Sequence, residues 1–370
     1  MFTRTLAVTA TIVALITFST ALAGAAGNRN ARASVNRHVI LVRGTPYFPV
    51  MLIDQCTSGA VTHAHRLGIN TILNENCGGV SATRQLSMIQ NKSLAILPIK
   101  GRATSGSGLL GWTYPDEPEN NGWTPSALRR AHTYARGNAD GLVSFVTTGG
   151  GFFQQPYRDP RVKVSAYGKF ARLADVAGFD LYPLGHCHTD LTAVYESQRA
   201  FNRLAGDMPT FQWIETGPIK PTYCGGFKMT PAELKAEVWL AIAGGARGIG
   251  YFTHTWSPAH NAFDVSPQLQ STIRKISDAL SFVNPGLVGR TALSGVNSGA
   301  IKVIARTGGG KTYVFAVNTF RTPITAQVHV PRLVDGQLKV FGEKRTVGVS
   351  NDRFLDNFKP LAVHVYIQRK

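Results

Sequence analysis

Gly111-Trp112-Thr113-Tyr114-Pro115-Asp116-Glu117-Pro118-Glu119 follows a short apolar run at 108–110 and precedes an amphipathic stretch at 125–136. Apolar run, acidic loop and amphipathic stretch in that order read as a strand with carboxyls at its C-terminal end, handing the chain to a helix. Pro118 locks its own φ and biases Glu117 toward extended backbone, which fixes the glutamate at the strand tip. The plainer alternative is a solvated acidic loop that caps the helix. The rest of the chain decides between them.

The unit recurs. Apolar runs at 50–53, 69–73, 94–99, 109–114, 142–146, 176–182, 210–214 and 249–252 alternate with helix-like segments. The clearest helices are expected at 57–67, 81–91, 125–136, 163–174, 190–204 and 231–243, the last opened by Thr230 as N-cap with Pro231 at its first position. Eight such strands over about 240 residues match the size and order of a (β/α)8 barrel. An open doubly wound sheet wants fewer strands and a Gly-rich first turn, which is absent here. From about residue 285 the period changes to two, at 300–306, 311–318, 325–330, 338–341 and 361–367, with turns between and no helices. The fold class is therefore α/β: a TIM barrel over 38–284 followed by a small all-β sandwich over 285–370. Gly308-Gly309-Gly310-Lys311-Thr312 looks like a phosphate loop but lacks the first glycine and the helix, so it is a hairpin turn. Gly149-Gly150-Gly151 is expected to let backbone pass close to the barrel mouth.

Ahead of the barrel, a short basic start, an apolar segment from Leu6 to Phe18 and the small residues of Ala21-Leu22-Ala23 form a secretory signal peptide, assigned to 1–26. A linker is expected at 27–37. The chain is then secreted, with no later run near the roughly 18 apolar residues of a membrane span. Four cysteines, Cys56, Cys77, Cys187 and Cys224, suit an oxidising compartment. They follow the first, second, sixth and seventh strands, and loops after adjacent strands are neighbours, so the expected bonds are Cys56–Cys77 and Cys187–Cys224. Gly185-His186-Cys187-His188 invites a metal reading, but side chains at successive positions point apart, and no metal is expected. A formal charge of +18 favours anionic partners. The basic residues are scattered and no nucleic-acid motif is present, so nucleic acid is not expected; the charge reads either as that of a basic secreted protein or as a surface for an anionic polysaccharide or cell wall.

Barrel enzymes place their reactive groups at strand C-termini. Those ends carry Asp54, then Asn74 and Glu75, then Asp116 and Glu117, then Asp180 and Tyr182, then Glu215, then His254 and Trp256. Glu117 and Glu215 follow the fourth and seventh strands, across the mouth from each other. Glycosidic cleavage needs two carboxyls about the anomeric carbon, one to protonate the leaving oxygen and one to attack or to activate water.

With those residues the barrel resembles clan A of the glycoside hydrolases. The likeness runs over the barrel and, more loosely, through the closing strands of the tail. The resemblance implies a retaining O-glycosyl hydrolase with Glu117 as acid/base and Glu215 as nucleophile, acting on a carbohydrate substrate without a cofactor. It sets Tyr182 where many clan members carry a tyrosine bonded to the nucleophile, a core tyrosine being the alternative; Trp256 is either the aromatic floor under the sugar ring or a packing residue. Asp54, Glu75 and His254 are either sugar contacts or structural partners at the rim. The clan usually has Asn before the acid/base residue, bonded to the sugar 2-hydroxyl; this chain has Asp116, whose charge would raise the pKa of Glu117 and which leaves the sugar open. A non-catalytic carbohydrate or cell-wall binding protein on the same scaffold, or a transglycosylase, are the other readings.

Overall fold

A computed structural model describes residues 31–99, 106–138, 141–218, 223–254, 265–291, 296, 298 and 301–369. The expected signal peptide and Trp256 lie outside these residues.

Three short strands, β1 (Ala33–Asn36), β2 (Val39–Val42) and β3 (Thr45–Tyr47), form an antiparallel sheet. The segment read as a linker is therefore partly a strand. Ala33 is buried while Ser34 beyond it is exposed, and β1 pairs in register with β2. The N–H groups of Ala31 and Ala33 donate to Leu109 and Gly141, so the sheet lies across the N-terminal end of the barrel. Ala33 and Ile40 complete the apolar core inside it.

The barrel strands are β4 (Val50–Ile53), β5 (Thr71–Leu73), β6 (Leu94–Pro98), β7 (Leu109–Thr113), β8 (Val143–Gly149), β9 (Val176–Asp180), β10 (Thr210–Glu215) and β11 (Gly248–Phe252). Every neighbouring pair is parallel, and β11 pairs with β4 to close the ring. Such strands are covered on both faces, which is why they read as unbroken apolar runs rather than alternations. Phe211 and Trp213 fill the interior where Gly178 and Gly250 offer no side chain; a Cβ on Gly178 would stand 2.2 Å from the Phe211 ring.

Around the ring run α1 (Ser58–Arg66), α2 (Ala82–Ile89), α3 (Pro125–Asn138), α4 (Val164–Ala171), α5 (Thr192–Ala205), α6 (Pro231–Gly244), α7 (Pro267–Phe282) and the short α8 (Asn284–Leu287). The start of α6 is a full capping box: Thr230 receives the Glu233 N–H, and Glu233 receives the Thr230 N–H. The sequence reading did not single out α7, although Ser266 caps it and Leu269, Ile273, Ile276 and Leu280 line one buried face.

The C-terminal strands are β12 (Arg290–Thr291), β13 (Lys302–Gly308), β14 (Lys311–Val317), β15 (Ile324–His329), β16 (Gly336–Val340), β17 (Thr346–Val349), β18 (Arg353–Phe358) and β19 (Val363–Arg369). Six form an antiparallel sheet in the order β12-β13-β14-β19-β16-β17, and β15 pairs with β18. Val328, Phe354 and Phe358 from the small sheet share one core with Ala305, Val314 and Tyr366 from the large one, which makes the sandwich.

Barrel and sandwich are joined along α6. Beyond its first turn this helix is apolar almost all round, and it is buried on every side over 236–244. Trp239 stacks on Phe315 of β14 at 5.8 Å. The wholly buried Arg306 of β13 donates to the carbonyls of Ile242, Ala246 and Leu287, at the helix end where the macrodipole favours a cation.

Candidate active site

At the C-terminal end of the barrel, six carboxyls converge from four strand ends: Asp54, Glu75, Asp116, Glu117, Glu119 and Asp180. The acidic loop after β7 does not run extended through Glu117. That residue takes φ +41°, because its N–H is drawn to the Thr147 carbonyl of β8 and its own carbonyl receives the N–H groups of Asn120 and Asn121. Tertiary hydrogen bonds override the bias that Pro118 imposes. A non-glycine residue held at positive φ stores strain of the kind common at reactive sites.

The turn aims the Glu117 carboxyl across the end of β8. Asn120 Nδ2 donates to Oε2 at 2.9 Å. A Cβ on Gly149 would lie 2.9 Å from Oε1, so the carboxyl rests against bare backbone there. Glu119 Oε1 receives the Gly149 N–H at 2.6 Å and pins the same strand end. This is what the glycine run after β8 does. Glu117, Asn120, Gly149, Tyr157, Asp180 and Tyr182 line one cavity of about 270 Å3, with Asp159 and His186 at its wall. Asp180 comes within side-chain hydrogen-bonding reach of Glu117.

Burial and mutual repulsion shape the charges. Loss of hydration, then the charges of Glu117 and Asp116, holds the Asp180 carboxyl well above its usual range. Burial followed by the Asp116 charge does the same to Glu75. Burial pushes Glu119 up to about 8 against two hydrogen bonds that pull it down. Crowding by protein, then the Glu117 charge, pushes Asp116 up to about 7, and its open edge lets solvent screen part of that effect.

The other expected residues fall into separate groups. Asp54 accepts the N–H groups of Glu75 and Asn76 at 2.6 and 3.0 Å and so shapes the loop after β5. Glu75 accepts from Thr113 Oγ1 at 2.9 Å, tying that loop to β7. Tyr182 is in the cavity, its ring 5.5 Å from Phe252. His254 is buried behind Phe252 and is not among the residues lining the cavity.

Glu215, at the end of β10, is enclosed. It is only 1% exposed. Its Oε1 and Oε2 receive the N–H groups of Leu184 and Gly185 at 2.8 and 2.7 Å, and its carboxyl meets that of Glu237 from α6. Burial raises it to about 8 despite those bonds, and raises Glu237 well above its usual range. Among the described residues Glu215 does not line the cavity that holds Glu117. The structure brings Glu117 together with Asp180 and Tyr182 in one cavity, and the charges of both Glu117 and Glu215 act on Tyr182.

Cys56 is bonded to Cys77, and Cys187 to Cys224, with Cα–Cα distances of 5.3 and 5.0 Å. Cys187 is thus no thiolate ligand, and its neighbours His186 and His188 instead pack edge-on to Tyr157. Sequence reading missed Asn120, Tyr157 and Asp159. Asp180 was visible as a strand-end carboxyl, and the glycine run as a close approach, but nothing in the sequence linked the two.

Two larger cavities, of about 660 and 1250 Å3, lie at the opposite end, between the N-terminal strand ends and the sandwich. Arg37, His38, Arg199 and Arg203 line them, with no acidic residue. Volume alone would favour these grooves, but they hold no carboxyl for acid–base work.

No protein-family model matches the sequence, and no curated protein does. Solved structures do match the fold. An α-amylase from Geobacillus thermoleovorans, solved with acarbose, aligns at TM-score 0.58 and 12% identity over 85% of this chain and 91% of its own. An Anoxybacillus α-amylase aligns at 0.57 and 9% over 85% and 90%. A maltogenic α-amylase from Thermotoga neapolitana aligns at 0.53 and 10% over 87% and 99%. At such identities the likeness is one of fold: a (β/α)8 barrel followed by a β domain. Among the described residues no helix is long and apolar enough to cross a membrane.

Proposed function

We propose that this protein is a glycoside hydrolase acting at the C-terminal rim of its barrel, with Glu117 as the carboxyl that exchanges a proton with the glycosidic oxygen. The observation that carries this reading is the Glu117 carboxyl itself, held by Asn120 against Gly149 and facing a cavity with a second carboxyl and a tyrosine. Two carboxyls in one cleft at the strand ends of a barrel are what glycosidic cleavage requires. The shared fold with the amylases named above agrees with it. So does the clan A likeness read from the strand-end residues. Retention through Glu215 as nucleophile is the finer part of that likeness, and its support is position in the chain alone. The signal-peptide pattern and the two disulfides favour a secreted enzyme. The basic grooves at the far end suit an anionic wall polymer held while the mouth works on carbohydrate.

The test is turnover of a panel of aryl glycosides by the wild type and by Glu117→Gln. Replacing the proton-transferring carboxyl lowers kcat/KM by about 10²- to 10⁴-fold. The loss is smaller for a dinitrophenyl leaving group, which departs without a proton. Polysaccharide binding with no turnover of any glycoside would refute the hydrolase and leave a binding protein. Products carrying an added acceptor sugar would make it a transglycosylase.

A further inference from the structure

We infer that Asp180, at the end of the sixth barrel strand, is the second reacting carboxyl of this site, paired with Glu117 across the bare backbone of Gly149. The inference rests on the glycosidase reading and deepens it.

The geometry begins in the sheet. Gly149 ends β8 and stands directly opposite Asp180 in the β8–β9 register. Any side chain at 149 would fill the space through which the Glu117 carboxyl passes, since a Cβ would stand 2.9 Å from Oε1 and 3.0 Å from the Asn120 amide that holds Oε2. Gly149 keeps ordinary extended backbone, φ −68° and ψ 162°, so turn geometry does not require a glycine there. What uses the missing side chain is the passage of Glu117 toward Asp180. Asp180 Oδ1 is buried without a hydrogen-bond partner, on the wall of the same cavity. Glu215 has the opposite environment, with both oxygens occupied by backbone N–H groups and the whole residue enclosed.

Burial and then the neighbouring Glu117 charge hold the Asp180 carboxyl well above its usual range. One protonated and one ionised carboxyl is the state from which glycoside cleavage starts. A retaining pair acts in two steps, and the covalent label below is what separates that route from inversion. An ionised oxygen of the pair attacks the anomeric carbon as the bond to the leaving oxygen breaks. The proton on the other carboxyl goes to that oxygen. Water then attacks the same carbon, the carboxylate departs, and the water's proton returns to the acid.

The test uses 2,4-dinitrophenyl glycosides of glucose, galactose, xylose and N-acetylglucosamine, with the 2-deoxy-2-fluoro analogue of whichever sugar the wild type turns over. Trapping the wild type with that analogue and sequencing the labelled peptide needs no variant: with Glu117 as the acid, the label falls on Asp180, and a label on Glu117 would overturn this assignment of roles. Asp180→Asn loses at least about 10²-fold in kcat/KM at an unchanged melting temperature. Azide restores turnover to Asp180→Ala by replacing the missing carboxyl. A label on Glu215, or Asp180→Asn within tenfold of wild type, overturns the inference while leaving the glycosidase reading intact. A wild type inert toward every glycoside defeats the glycosidase reading first, and the inference with it.

Discussion

Replacing Gly149 with Ala tests the site with a single methyl group. The added Cβ would stand 2.9 Å from Glu117 Oε1 and 3.0 Å from Asn120 Nδ2. Ordinary contact is about 3.5 Å, so the carboxyl must withdraw by roughly 0.6 Å, and its amide partner with it. Reactive groups tolerate displacements of about 0.5 Å, and an ångström costs on the order of 10²-fold. The expected loss in kcat/KM is therefore roughly ten- to hundredfold, or about 1.4–2.7 kcal/mol of transition-state stabilisation. Folding should hardly notice. The backbone at 149 is already in a region open to alanine. The atoms that must move end flexible side chains, and the lower entropy of the unfolded chain returns about 0.4–1 kcal/mol. The assay is steady-state turnover of an aryl glycoside beside a calorimetric melt. Gly149→Ala with kcat/KM within twofold of wild type would refute the claim that Glu117 acts from this position.

Three other outcomes follow from the same structure. Asp116→Asn removes a negative neighbour of Asp180 and Glu75, which lowers both carboxyls, so the alkaline limb of the pH–rate profile should move to lower pH; an unmoved limb would detach Asp116 from the proton inventory. Glu215 and Glu119 are raised from 4.5 to about 8 on folding. Raised acids bind protons more tightly in the folded state, so their contribution is fullest below about pH 4.5 and declines as pH rises toward 8. Melting temperature should therefore fall between pH 5 and pH 8, and Glu237→Gln should flatten that slope. Replacing Cys187 and Cys224 with Ser opens a loop of sequence separation 37 and should cost about 3–4 kcal/mol of stability, seen as an earlier melt; an unchanged melt would mean the loop is held by other contacts.

The eight barrel strands were legible because a parallel strand covered on both faces leaves an uninterrupted apolar run, and 50–53 and 94–98 fall where the pattern puts them. The disulfides were legible from strand order, since neighbouring loops must meet. The strand at Ala33–Asn36 was missed because its partners lie on the next hairpin and on the floor of the barrel, contacts that a polar composition does not announce. The site was half legible. Strand ends located Glu117, but which way a carboxyl turns is decided by tertiary hydrogen bonds. Thr147 drew the Glu117 backbone into positive φ, and the Leu184 and Gly185 amides hold both oxygens of Glu215. Spacing along a sequence holds no record of either pull.

Because α6 is enclosed on every side over 236–244, the sandwich serves as part of the barrel's outer wall rather than as an appendage. A chain cut at residue 285 would leave Trp239 without Phe315 and leave the carbonyls of Ile242 and Ala246 without the Arg306 guanidinium. Such a fragment would present a greasy helix to water and tend to aggregate. The two halves are therefore not interchangeable modules: grafting this barrel onto another β domain means redesigning one helix surface and one arginine socket together, and the two are expected to unfold as a single cooperative body.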